Sequence, residues 1–253
     1  MFSHVCKAPI THLQWGRSSV GTLTVGMGDS VSMLIETVLY QGMCGEMQVM
    51  QISATNIQVN FGVGAGANLL REDPLYCDTK MLVRGLAVGR SCFVTWSGQK
   101  ACVYVVEETA KRISALEAFE SGSQAMAIGD HNSLTDDALF AIQGSAVRVT
   151  SFSGIAKVDA INFTEAEGIP LKIDLNERYL AVITDVGLIK VLDVENPKKP
   201  KHLGSTGRFQ EAAGGDPLAV RAMRVNCSGS RVALLADHLE GALRVILPTY
   251  SLV

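Results

Sequence analysis

The segment Gly62-Val63-Gly64-Ala65-Gly66-Ala67 is the part of the sequence whose spacing comes nearest to a known chemistry. It fits G-x-G-x-x-A and follows the strand-like Ile57-Gln58-Val59-Asn60-Phe61, as a dinucleotide fingerprint does. That chemistry needs a helix whose N-terminus holds the pyrophosphate. Only Asn68-Leu69-Leu70-Arg71-Glu72-Asp73 stands before Pro74, whereas a crossover helix needs roughly ten residues or more. A glycine-rich hairpin between strands is therefore expected, with no cofactor.

The ionisable residues lead no further toward catalysis. His4, His12, His131, His202 and His238 have no ligand spacing between them, so no metal site is expected. Asp136-Asp137 ends the loop-like stretch His131-Asn132-Ser133-Leu134-Thr135-Asp136-Asp137 with no second carboxylate pair to work against, and no catalytic residue is assigned. The one concentrated basic stretch is Asn196-Pro197-Lys198-Lys199-Pro200-Lys201-His202. Such a run is usually a solvated connector; its functional alternative is docking of an acidic partner through Lys198, Lys199 and Lys201.

Those residues have to be positioned by strands. Apolar residues come in short runs such as Ser91-Cys92-Phe93-Val94-Thr95-Trp96 and Arg178-Tyr179-Leu180-Ala181-Val182-Ile183, rich in β-branched types and broken by Gly, Asp, Asn and Ser. Run length, residue type and turn punctuation all read as strands. The stretch from Glu107 to Glu120 has Lys111-Arg112 midway and reads as two strands around a polar turn.

The runs fall into groups that repeat. Groups open at Ile10–Trp15, Met47–Ile52, Val83–Val88, Gln124–Ile128, Leu171–Leu175 and Val220–Val225. Repeats of roughly 40–45 residues with about four strands each are the mark of propeller blades. The fold class is all-β, a WD-repeat β-propeller, with modules near residues 8–42, 43–80, 81–121, 122–168, 169–214 and 215–253. Each opener should face the axis, the next strand should form the buried centre, and the third should approach the rim. Asp130-His131 and Asp237-His238 resemble the Asp/His pairs that brace propeller turns, and Trp15 and Trp96 suit core or blade-edge packing. Six modules fit a seven-bladed ring completed by residues outside this sequence.

Composition agrees with a folded, non-nucleic-acid-binding chain. Of 253 residues, 47% are hydrophobic and 19% charged, enough for a large core. Net charge is −3, so no basic groove or membrane-surface patch is implied. No stretch approaches the ~18 apolar residues of a membrane span, and the N-terminal residues carry Pro9 and polar side chains where a signal peptide needs an apolar core. The six cysteines form no C-x-x-C pair and are expected as free, mostly buried thiols in a cytosolic protein. The sequons at Asn162 and Asn226 then meet no glycosylating compartment.

Particular residues carry a resemblance. The segment from Ala87 to Glu108, with Thr95-Trp96-Ser97-Gly98-Gln99-Lys100 as its turn, is similar to the segment of the 140-kilodalton subunit of intraflagellar transport complex A where a V-W-(N/S)-G-(R/K) turn joins two strands. Thr11-His12-Leu13-Gln14-Trp15-Gly16, the stretch from Ser32 to Ser53, and the stretch from Arg224 to Ala236 agree in order and spacing, over roughly residues 8 to 250. The resemblance implies a non-catalytic scaffold in retrograde ciliary and flagellar transport and in cargo entry. Its implied partners are the other complex A subunits and ciliary membrane-cargo adaptors, with neither nucleic acid nor direct membrane insertion. The implied location is the cytoplasm, the cilium or flagellum, and the basal body. The alternative is a propeller enzyme or small-ligand binder using the axial channel. That reading asks for His, carboxylates or Arg at several openers, where His12 and Asp174 stand isolated among Ile, Leu, Val, Met and Ala.

Overall fold

A computed structural model describes residues 8–16, 22–35, 39–62, 74–129, 138–196, 199–205, 219–237 and 243–246. Among them every regular element is a strand. The chain folds as two compact units, Met1–Leu39 and Tyr40–Val253.

The first unit holds one antiparallel sheet, A, built from β1 (Ile10–Trp15), β2 (Thr22–Met27) and β3 (Ser30–Ile35) in that order. Gly28 and Asp29 turn β2 into β3, with Gly28 at a φ of 57°, a value that costs glycine nothing. Val25 is buried, whereas Trp15 on the edge strand is 67% exposed. Trp15 therefore does not belong to a core, contrary to one of its two expected placements.

The second unit holds five sheets in chain order. Sheet B contains β4 (Gln41–Cys44), β5 (Met47–Gln51), β6 (Asn56–Asn60) and β7 (Leu75–Asp78). Sheet C contains β8 (Gly85–Val88), β9 (Cys92–Trp96), β10 (Lys100–Glu107), β11 (Arg112–Ala115) and the two-residue β12 (Phe119–Glu120), which pairs with β10. Sheet D contains β13 (Met126–Gly129), β14 (Ala138–Gln143), β15 (Ala146–Thr150) and β16 (Ile161–Asn162). Sheet E contains β17 (Pro170–Asn176), β18 (Tyr179–Thr184), β19 (Ile189–Asp193) and β20 (Lys201–Ser205), and sheet F contains β21 (Ala219–Val225), β22 (Val232–Asp237) and β23 (Leu243–Ile246). All neighbours are antiparallel, and the first strands β4, β8, β13, β17 and β21 pack one against the next.

The core is divided among the sheet-to-sheet contacts. Because side chains alternate along a strand, each central strand feeds two neighbours. In β9, Phe93 faces sheet B and joins Val49, Ile57, Val59 and Tyr104, while Cys92 and Val94 face sheet D and join Leu139 and Ala141. In β18, Leu180 and Val182 pack with Phe140 of sheet D, while Ala181 and Ile183 pack with Met223 and Leu234 of sheet F. Both faces of these strands are buried, so their sequences read as unbroken apolar runs rather than alternating ones. Each fully buried Leu, Ile or Phe contributes roughly 1.5–3 kcal/mol of transfer free energy.

The opener of the second module needs correction. Met47–Ile52 is expected from the sequence to come first, with the module beginning near residue 43. The strand that packs against β8 is instead β4, starting at Gln41, and Met47–Gln51 is the second strand of the sheet. The physical reason is Gly42. A Cβ there would lie 2.7 Å from Val88 Cγ2, so close approach of β4 to β8 selects a glycine and weakens the strand signature of Gln-Gly-Met-Cys. First strands of sheets B to F then begin at Gln41, Gly85, Met126, Pro170 and Ala219, intervals of 44, 41, 44 and 49 residues. The stretch Glu107–Glu120 folds as expected, with Lys111 at φ 48° in the turn between β10 and β11. Turn chemistry departs from glycine at Glu177, which holds φ 53° between β17 and β18.

Candidate functional site

The first strands are where an axial site would be assembled. Their ionisable side chains include Lys172 and Asp174 on β17 and Arg221 and Arg224 on β21. Asp174 is 8% exposed. Its Oδ1 accepts from Arg224 NH1 at 2.7 Å and its Oδ2 from the Val225 backbone N–H at 2.7 Å. Asn176 Nδ2 adds a bond to the Val225 carbonyl at 3.0 Å. Burial raises the Asp174 carboxyl above the ordinary aspartate range, and the Arg224 charge with the Val225 N–H pulls the other way. Both carboxylate oxygens are thus committed to tying sheet E to sheet F. The sequence carries no signal for Arg224, because its role exists only when β17 and β21 are brought side by side.

The other singled-out residues do not converge. His12 lies exposed on β1 in the first unit, and no group of three His, Cys, Asp or Glu side chains among the described residues could hold a metal. Gly62 follows β6 at φ 75°, while Val63 to Ala67 lie outside the described residues. The same holds for Asp130-His131, Asp136-Asp137, His238 and Lys198. Trp96 is buried, and Cys44, Cys77, Cys92, Cys102 and Cys227 are not disulfide-bonded. Burial, then the Cys102 and Asp78 charges, pushes the Cys77 thiol up to about 11; burial likewise raises Tyr104, whose ring stacks on Phe93 at 4.8 Å.

A second charged cluster braces the entry to sheet E. Glu167 Oε1 receives Lys190 Nζ at 2.6 Å, and its Oε2 accepts from the Thr164 N–H at 2.9 Å. Lys190 also stands 5.1 Å from the Phe163 ring centroid. Lys190's hydrogen bond holds the Glu167 carboxyl below its usual range, aided by Thr164. Nothing in this cluster is poised for chemistry.

The basic stretch is where the structure leaves charge over. Lys201 and His202 open β20, the outermost strand of sheet E, and are exposed, as is Lys199 in the preceding turn. The sequence describes Lys201 and His202 as connector; pairing of Asp193 with Lys201 and Leu192 with His202 makes them part of the sheet. The nearby acids are occupied: Arg178 Nε lies 3.4 Å from Asp193 Oδ2 and its NH1 2.6 Å from Glu195 Oε2.

A chain of small antiparallel sheets, joined in series through their first strands and sharing cores between neighbours, is a WD-repeat β-propeller. Solved propellers resemble it: the Cps50 (Swd1) β-propeller domain of Myceliophteria thermophila at 13% identity, over 96% of this chain and 88% of that one, with a TM-score of 0.52. KlAtg21, solved in complex with the coiled coil of AgAtg16, is similar at 10% identity, over 90% and 78%, with a TM-score of 0.54. At such identities the likeness speaks for the fold alone. Residues 45–250 match the family model described as the IFT140 second beta-propeller, and the chain belongs to that family of intraflagellar transport propellers.

Proposed function

We propose that this chain is a non-catalytic protein-interaction scaffold, a propeller within a subunit of intraflagellar transport complex A. In this reading it acts in retrograde ciliary and flagellar transport and in cargo entry, from the cytoplasm and basal body into the cilium. Its partners are other complex A subunits and adaptors of ciliary membrane cargo. The observation that carries the proposal is the family match over residues 45–250. The commitment of both Asp174 oxygens to Arg224 and Val225 supports it against the enzyme alternative, since the buried carboxylate of the first strands is occupied structurally. The six modules belong, in the same reading, to a seven-bladed ring.

Affinity purification of the tagged parent protein from ciliated cells tests this. Recovery of complex A subunits, and their loss when this propeller is deleted, is the expected result. Recovery unchanged by the deletion, with retrograde transport intact, overturns it.

A further inference from the structure

Four observations meet at the rim of sheet E. Strand β20 is the terminal strand of its sheet, and its pairing is with β19 alone among the described residues. Lys201 and His202 on it, and Lys199 just before it, are exposed. Neither Lys199 nor Lys201 forms an ion pair among the described residues, because Arg178 holds Asp193 and Glu195. In sheets B to D the outer strands differ: Arg112 on β11 is paired with Glu107, and β7, β12 and β16 carry no cation. On a chain of net charge −3, this edge combines uncompensated positive charge with backbone groups that no other described strand pairs.

We propose that the outer edge of β20, with Lys199 and Lys201, docks an extended acidic segment of a partner protein as an added strand. Main-chain bonds to an open edge supply affinity that any extended peptide could use, and the flanking side chains decide which one is admitted. Lysines on an edge repel a second copy of the same strand, and the register shift between Val191 and Leu192 bends the edge away from flat self-pairing. Those features exclude like strands while leaving an oppositely charged one attracted. The open edge favours a peptide over an anionic lipid surface, which needs charge but makes no strand. This inference rests on the scaffold reading above and names one contact within it.

Binding of a fluorescent, Asp/Glu-rich extended peptide to the purified chain, read by anisotropy, is the test. Affinity should weaken with salt and fall by about tenfold in Lys199→Glu/Lys201→Glu, the scale of two exposed ion pairs. A backbone N-methylated copy of the peptide should bind poorly. Equal binding by the N-methylated copy, or by the double variant with its circular dichroism unchanged, overturns the proposal. So does binding to vesicles containing anionic lipid with none to the peptide. Failure here, while complex A recovery still depends on this propeller, overturns this contact only, whereas recovery unchanged by deleting the propeller overturns the scaffold reading.

Discussion

Gly85 on β8 lies directly opposite Trp96 on β9, and the indole of Trp96 folds over the glycine Cα so closely that a Cβ there would overlap Trp96 Cε2 and Cζ2. The Arg84 N–H reaches the Trp96 carbonyl at 2.8 Å, holding the two strands in register beside that contact. Gly85→Ala should destabilise the protein by about 1–3 kcal/mol, the usual cost of forcing a group into a packed core. Chemical denaturation followed by Trp fluorescence measures it; an unchanged midpoint would mean that the indole swings aside freely.

Arg224→Met should expose the cost of burying Asp174. The folded carboxyl already titrates above the ordinary 3.8. The folded state therefore binds that proton more tightly than the unfolded one. This group's contribution is most favourable below the unfolded value and declines as pH rises through the folded one. Removing the guanidinium raises the folded value further, so the variant's deficit should be largest near neutral pH and shrink as pH falls toward the unfolded value. We expect about 1 kcal/mol at neutrality, reduced by the solvent exposure of Arg224. Urea melts across the acid range read the trend, and a pH-independent deficit would contradict it.

Glu167 should behave with the opposite sign. Its folded carboxyl titrates below the ordinary 4.5 because of Lys190 and Thr164. The stability it provides is present above the unfolded value and lost as pH falls through the folded one. Glu167→Gln should cost about 1 kcal/mol at neutral pH and nothing once the wild-type carboxyl is protonated. Parallel thermal melts of the two proteins at acid and neutral pH compare them directly.

Thiol accessibility offers a separate check on the sheet-to-sheet cores. Cys227 is exposed in the turn after β21, whereas Cys92 and Cys102 are buried and burial raises Cys77 to about 11. Iodoacetamide at neutral pH should modify Cys227 well before Cys77, Cys92 and Cys102, which should react only on unfolding. Peptide mass mapping over time distinguishes these sites. Early modification of Cys92 would show that sheets C and D part more readily than their shared core implies.

What can be read from the sequence tracks what is local. Strands β9, β14 and β18 are visible because burial on both faces makes an apolar run, and the turn at Lys111 because charged residues interrupt one. Strand β4 is hidden because its determinant, the approach of Val88 to Gly42, lies far along the chain. Strand β20 reads as connector because lysines and prolines describe a loop as well as they describe a rim. Arg224 is hidden for the same reason as β4: nothing near it in sequence reveals Asp174, fifty positions away.

The shared cores between neighbouring sheets bear on how the chain is made. A nascent sheet C leaves the ribosome with Phe93 able to cover sheet B at once, while Val94 must wait for Leu139 to be translated. Each arriving sheet thus caps the apolar side of the one before and presents a fresh one of its own. At synthesis rates of about 5–20 residues per second, that wait lasts on the order of seconds. Between sheets B and F the apolar face left waiting is that of the newest sheet, so a pause in translation matters most where it falls between two sheets.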